Sequence, residues 1–290
     1  MKLYNLSIRE VFAIYDLKRD GGTVYSGDPD AMYRIAYSML MTRIGLRLDA
    51  DRRHRIHALG ISVDDAALLF LADGGCGKTT LGLEMMKHPQ VGWLTDDILP
   101  VDSSGRALAF PTSPRLIPGS VVPWLPPSVN LLKGPMPKDP PKFQLPSSSL
   151  LPRVCPSSKL GALFLCSRRP GVGPSIRRVG FLEAFRGICN NALTGREFGH
   201  MMAYHLQFSP RYLWSTAAIY LSRIRTFFYL AWNVPVFRFD MGGHISENAS
   251  LLLNMWAEMR NDGIRRLVDA SNAVPAVDNR NLREQSRTQQ

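Results

Sequence analysis

At 290 residues, with 45% hydrophobic and 20% charged residues, the chain can bury a substantial core, and disorder is excluded for most of its length. A formal net charge of +11 and a pI near 9.8 favour acidic partners, phosphates and nucleotides among them, without choosing between them. The four cysteines, Cys76, Cys155, Cys166 and Cys189, form no CxxC pair and no zinc-like spacing, and the N-terminus lacks a signal-peptide core, which together point to a reducing cytoplasm.

The first fifty residues read as an α/β prelude rather than a separate domain. Ile8 to Tyr15 and Gly22 to Ser26 are strand-like, and Asp30 to Leu48 carries Ile35, Met39 and Ile44 near helical spacing after the breaker Asp28-Pro29. Arg55 to Ile61, the turn Asp64-Asp65 and the apolar run Ala66 to Leu71 predict a hairpin. That hairpin feeds the most informative stretch of the chain.

After Leu71 comes Ala72-Asp73-Gly74-Gly75-Cys76-Gly77-Lys78-Thr79-Thr80, then a helix-compatible segment to Lys87. Glycines let backbone N–H groups converge on phosphate oxygens, and the helix N-terminus adds its positive dipole end. Residues Asp73 to Thr80 are therefore predicted to cradle a nucleotide, with Lys78 on the β- and γ-phosphates and the Thr79 hydroxyl offered to Mg²⁺. Ala72 takes the first glycine position of this P-loop pattern, which is tolerable if its φ stays negative. The bland alternative is a tight turn between strand and helix. Cys76, at a helix N-terminus, is expected to have a lowered thiol pKa and to alkylate readily.

Val91 to Thr95 predicts a strand ending in Asp96-Asp97, with further strands at Ile98 to Val101 and Ala107 to Phe110 around Asp102-Ser103-Ser104-Gly105. A carboxylate pair beyond the loop is what a kinase needs. One carboxylate holds Mg²⁺ and the other accepts the proton of the attacking hydroxyl. The alternative is a plain turn after a strand. Residues 111–156 hold most of the prolines, which forbids a long helix or central strand there. A lid or substrate flap partly ordered by Trp124 and Leu125, or a surface insertion, is expected.

Lys159 to Ser167 predicts a strand pairing with Ser175 to Val179 across Arg168-Arg169-Pro170-Gly171. The basic run Arg153, Lys159, Arg168, Arg169, Arg177, Arg178, Arg186 and Arg196 reads as a solvated face, since no aromatic residues interleave with it as base stacking requires. Nucleic acid is accordingly disfavoured. Phe181 to Leu193 is helical. Ser209-Pro210 opens a helix to Trp232 with Leu213, Ala217, Leu221, Ile224 and Phe228 as its expected buried stripe, and Arg223 and Arg225 argue against a membrane span. Val236 to Phe239 is a strand, and Ser246 is expected to cap a last helix that buries Leu252, Leu253, Trp256 and Met259 and ends at Gly263. Residues 1–272 thus read as one catalytic domain and 273–290 as a disordered polar tail.

The order His57-Ala58, hairpin, Gly75-Cys76-Gly77-Lys78-Thr79-Thr80-Leu81, then Leu94-Thr95-Asp96-Asp97 resembles the C-terminal catalytic domain of HPr kinase/phosphorylase and its relatives of the phosphoenolpyruvate-carboxykinase P-loop type. The resemblance implies an α/β fold with a mixed sheet around the P-loop and a helical C-terminal part. It also implies an ATP- and Mg²⁺-dependent kinase acting on a hydroxyl, such as a Ser of a peptide or protein. Lys78 would contact the phosphates, Thr79 and Asp97 would serve the metal, and Asp96 would be the general base. His57 matches a histidine near the phosphates in the family, or is a satisfied core residue. Ala72, Gly74 and the lack of an arginine-glycine signature after the acid pair point to a short relative rather than HPr kinase itself. Some such relatives modify ribosomal peptides, lasso-peptide precursors included. An acidic peptide acceptor and a homo-oligomer are compatible with this reading. The competing reading is a nucleotide-hydrolysing regulator that switches a bound partner.

Overall fold

The computed structural model describes residues 2–6, 11–16, 21–110, 112–116, 131–133, 143–192 and 210–272. The expectations for Trp124, Leu125, Arg196, Ser209, the side chain of Leu213 and the tail from Ala273 lie outside them. The fold is mixed α/β. Strands β1 (Lys2–Leu6), β2 (Val11–Asp16) and β3 (Gly21–Ser26) form an antiparallel sheet, and α1 (Pro29–Ala50) follows. Asp28 caps α1 by accepting from the Asp30 backbone N–H at 2.9 Å, and Pro29 opens the first turn.

The main sheet is built from β4 (Arg53–His57), β5 (Leu59–Val63), β6 (Ala66–Leu71), β7 (Val91–Thr95), β8 (Ile98–Asp102), β9 (Arg106–Leu108), β13 (Ser157–Arg168), β14 (Ser175–Arg178) and β15 (Val236–Met241). The predicted hairpin is β5–β6. Its turn residues Asp64 and Asp65 have φ of 48° and 65°, the left-handed pair that matches the twist of a two-residue hairpin. The expected single strand Arg55 to Ile61 is instead β4 and β5, broken at Ala58.

Strand β13 holds the centre. It runs parallel to both β6 and β15 and antiparallel to β9 at its start. The expected pairing of β13 with β14 is therefore overturned: β14 pairs with β15, because β6 and β15 already occupy both edges of β13 over its second half.

Both sheet faces are covered, which is why β6 reads as an unbroken apolar run. On one face Leu68 and Phe70 pack with Ala162, Phe164 and Trp93 under α2 (Lys78–Met85) and the last helix; on the other Ala67, Leu69 and Leu71 pack with Leu163 and Ile188. That second face is closed by α4 (Phe181–Ala192) and α5 (Pro210–Asn233), while the first is closed by α6 (Ile245–Asn272). Phe70 and Phe164 stack at 4.9 Å between ring centres. Helix α6 starts at Ile245, one residue before the expected cap Ser246, and continues past Gly263. Asn248 secures its start, accepting from the Gly242 N–H at 2.8 Å and donating to the Gly242 carbonyl at 3.2 Å. One glycine inside a long helix is tolerated at a cost of about 1 kcal/mol.

The expected stripe of α5 faces the wrong way. Leu221, Ile224 and Phe228 are exposed and Ala217 with them, while Arg223, Thr226, Phe227 and Leu230 are buried. The reason is electrostatic. Asp49, at the end of α1, accepts from Arg223 Nε at 3.0 Å and Nη2 at 2.5 Å and from His54 Nδ1 at 3.0 Å, and His54 Nε2 meets Ser222 Oγ at 2.9 Å. Burying Arg223 beside that carboxylate fixes the rotation of the helix. Neighbouring Arg55 donates to the Met41 carbonyl at 3.1 Å, and burial with the charge of Arg223 brings its pKa down to about 10.

Residues 111–156 contain short ordered pieces rather than none: β10 (Arg115–Leu116), β11 (Leu132–Lys133) and β12 (Phe143–Gln144) make a small antiparallel sheet, followed by α3 (Ser147–Leu150). Each strand has two residues, as the proline spacing allows.

Candidate functional site

Strand β6 ends at Leu71 and the chain turns through residues 72–77 into α2, the predicted strand, loop and helix. Ala72 is buried and is absent from the positive-φ residues, whereas Gly75 and Gly77 have φ of 84° and 99°. Gly77 is the residue before the first helical turn, and no side chain caps the exposed N–H groups of α2. A Cβ built on Gly74, Gly75 or Gly77 would meet no atom within 4 Å. These three glycines thus border open space at the start of α2.

Lys78 is buried, and its Nζ donates to the carbonyls of Ala72 at 2.5 Å and Asp73 at 3.3 Å. The ammonium group is folded back along its own loop. Thr79 Oγ1 donates to both oxygens of Asp96, at 2.8 and 3.0 Å. The alignment of β7 brings the acid pair there, because β7 lies beside β5 and β5 beside β6.

The segments 53–63 and 91–102 pair antiparallel over their whole length, as β4 with β8 and β5 with β7. The register shifts between Gly60 and Ile61, and the ladder is interrupted where Ala58 N–H donates to the Asp97 carbonyl at 3.1 Å. The acid pair occupies this interruption, the kind of irregularity that re-aims side chains. Asp97 turns to His57, whose Nδ1 lies 2.9 Å from its Oδ1, and the Asp97 N–H donates to the buried Thr95 hydroxyl at 3.3 Å.

The two carboxyls have opposite electrostatics. Burial, reinforced by the charge of Asp97, pushes Asp96 up to about 7 despite the Thr79 hydrogen bond. Burial also acts upward on Asp97, but the His57 hydrogen bond and charge, with Arg115 and Lys78, outweigh it and hold that carboxyl below its ordinary value. Cys76 departs from expectation: burial raises its thiol pKa against the pull of Lys78 and Arg168. The side chain packs towards the apolar core beside Cys166 rather than standing in water at the helix end.

A cavity of about 290 Å³ joins these groups. Of the predicted residues, Gly74 to Thr80, His57, Asp96 and Asp97 line it; Asp73 does not, and enters only through its carbonyl to Lys78. Sequence reasoning missed Tyr37 of α1, Thr112, Ser113 and Arg115 beyond β9, and Arg168 at the end of β13. Arg168 lay in a basic run read as a solvated face and Arg115 in a proline-rich stretch, so no periodicity marked either. The Thr112 hydroxyl is buried without a hydrogen-bond partner. Other members of the basic run hold structure: Arg153 Nη2 donates to the carbonyls of His88 and Val91 at 2.8 and 2.7 Å, and Arg177 pairs with Glu183, which Arg238 of β15 also meets.

No family model and no curated protein matches this sequence. Among solved structures, the HPr(Ser) kinase/phosphatase from Coxiella burnetii is similar at 11% identity and a TM-score of 0.38, over 77% of this chain and 100% of that chain.

Proposed function

We propose that the chain is an ATP- and Mg²⁺-dependent kinase that transfers the γ-phosphate to a hydroxyl, a Ser of a peptide or protein being the favoured acceptor. The observation that carries this reading is the acid pair: two adjacent carboxyls, one bonded to the threonine of the glycine loop and one to a histidine, driven apart in pKa within one cavity. Carboxyls separated in this way take different chemical roles. The resemblance of the loop and the acid pair to HPr-kinase-like proteins supports the same reaction class.

Thr79 and Asp96 offer adjoining oxygen ligands of the hard kind Mg²⁺ prefers, in a site that needs only one or two carboxylates beside the nucleotide phosphates. Bound there, the ion would neutralise charge on the β- and γ-phosphates. This contact favours Asp96 as the metal carboxylate and leaves Asp97 as the base, the reverse of the roles implied by resemblance. Lys78 releases the Ala72 and Asp73 carbonyls and takes phosphate oxygens in their place. His57 holds Asp97 ionised and oriented. The acceptor oxygen then bonds to the γ-phosphorus as the bond to the ADP oxygen breaks, and the hydroxyl proton passes to Asp97.

Incubation with γ-labelled ATP, Mg²⁺ and size-fractionated host extract tests this. A labelled peptide or protein, lost in Asp97→Asn and Lys78→Ala, is expected. Label appearing only as free phosphate would favour the hydrolysing regulator. Separately, Lys78→Ala should abolish thermal stabilisation by Mg-ATP, and an undiminished shift in that variant would remove the phosphate-binding role of the loop.

A further inference from the structure

Helix α5 carries its large apolar side chains on the side turned away from the core. Trp214 is 78% exposed, Leu221 59%, Phe228 49% and Trp232 68%, with Ile224 and Tyr229 beside them. Trp214 and Trp232 are five helical turns apart and therefore lie on one line, about 27 Å long. Leu221 and Phe228 fall within the same stripe. The orientation is locked, since turning this stripe inward would pull Arg223 from the buried Asp49 carboxylate. The stripe is widened by α4, where Phe181 packs edge-on against Phe228 at 5.0 Å and Trp232 at 5.5 Å.

Charge identifies what could cover it. The sequence of α5 contains no Asp or Glu, and the exposed Arg225 lies inside the stripe. A second copy seated face to face would bring two Arg225 side chains together with no acid on either helix to pair them. The one acid of α4, Glu183, is already bonded to Arg177 and Arg238. An anionic lipid surface supplies both missing complements: headgroup charge for arginine and an interfacial layer for aromatic rings, where Trp and Tyr are enriched. Among the described residues no helix is long and apolar enough to cross a membrane, so the mode is lying on the surface.

We infer that the outer face of α5 docks the protein onto a membrane surface rich in acidic phospholipid, independently of the reaction at the cavity. Flotation of the full chain with vesicles tests it. Phosphatidylglycerol-containing vesicles should carry the wild type upward, pure phosphatidylcholine vesicles should not, and binding should weaken with salt. Phe228→Glu/Trp232→Glu should lower partitioning at least tenfold while retaining the wild-type circular dichroism spectrum and a cooperative thermal unfolding transition, which show that the variant is folded. Arg225→Gln should lessen the preference for the acidic lipid. Equal partitioning of wild type and double variant, or no flotation of the wild type, would overturn the inference. So would a wild-type dimer in sedimentation that the double variant converts to monomer.

Discussion

Asp96 is where one proton decides most. Its carboxyl sits at about 7 in the folded protein against an ordinary 3.8, so between those values the folded state keeps a proton that the unfolded chain has lost. Without metal, this group makes folding less favourable as pH rises from about 4 to about 7 and adds no further change above that. Asp96→Asn should therefore gain thermal stability over wild type at pH 8 and little at pH 4, and equal differences at both would contradict the assignment. Mg²⁺ bound at Asp96, as proposed, would displace the same proton. Its apparent affinity in the presence of ATP should fall by up to about tenfold per pH unit below 7, a dependence that Asp96→Asn removes along with the tight binding. The placement of Asp96 beside the glycine loop was legible from sequence because it follows a strand beyond that loop. The separate partners of Asp96 and Asp97 were not, since they depend on which neighbour each side chain meets across the ladder. Cys76 teaches the same lesson in reverse: a helix N-terminus predicted a lowered thiol pKa, and burial raises it instead.

The elements around the site are held by close approaches. Gly82 of α2 lies so near the sheet that an added Cβ would come within 2.8 Å of Leu59 Cδ1 and 3.0 Å of Trp93 Cζ3. Gly82→Ala should destabilise by roughly 1–3 kcal/mol, read by denaturant unfolding, because the helix must move off both side chains. Gly77→Ala meets no neighbour but inherits a φ of 99°, so its cost, about 1–2 kcal/mol, is backbone strain alone and should come with weakened Mg-ATP binding. Arg223→Ala would strand the buried Asp49 with only part of its partners and should cost about 3–5 kcal/mol in the same measurement, whereas Asp49→Asn/Arg223→Met should recover much of that loss. Most elements were legible from sequence: β6, β7, α1 and α4 fall within a residue or two of their predicted spans. The rotation of α5 was not. Its apolar spacing gave a correct helix and the wrong buried side at Ala217, Leu221, Ile224 and Phe228, because the side that packs carries Phe227 and Leu230 together with the buried Arg223–Asp49 pair.

At the scale of the whole molecule, local patterns found the strands but not their order. The run Ser175 to Val179 looked like the partner of its sequence neighbour, yet β15, from the far end of the chain, takes that place. Neighbours in a sheet are set by crossovers, and one sequence carries little trace of them. The position of β13 also bears on how the protein comes into being. The strand leading into the glycine loop has one partner only two residues away, β5, and another, β13, with Lys159 opposite Ala66 and Leu165 opposite Leu71. A ribosome must synthesise the whole proline-rich stretch before that second edge can be closed, and such distant parallel pairing forms slowly. Nascent or truncated chains ending before Ser157 would hold every residue of the loop and the acid pair and still lack the strand that fixes the loop in place. Fixing the glycine loop against the sheet is thus a late event of folding, with β13 as its gate.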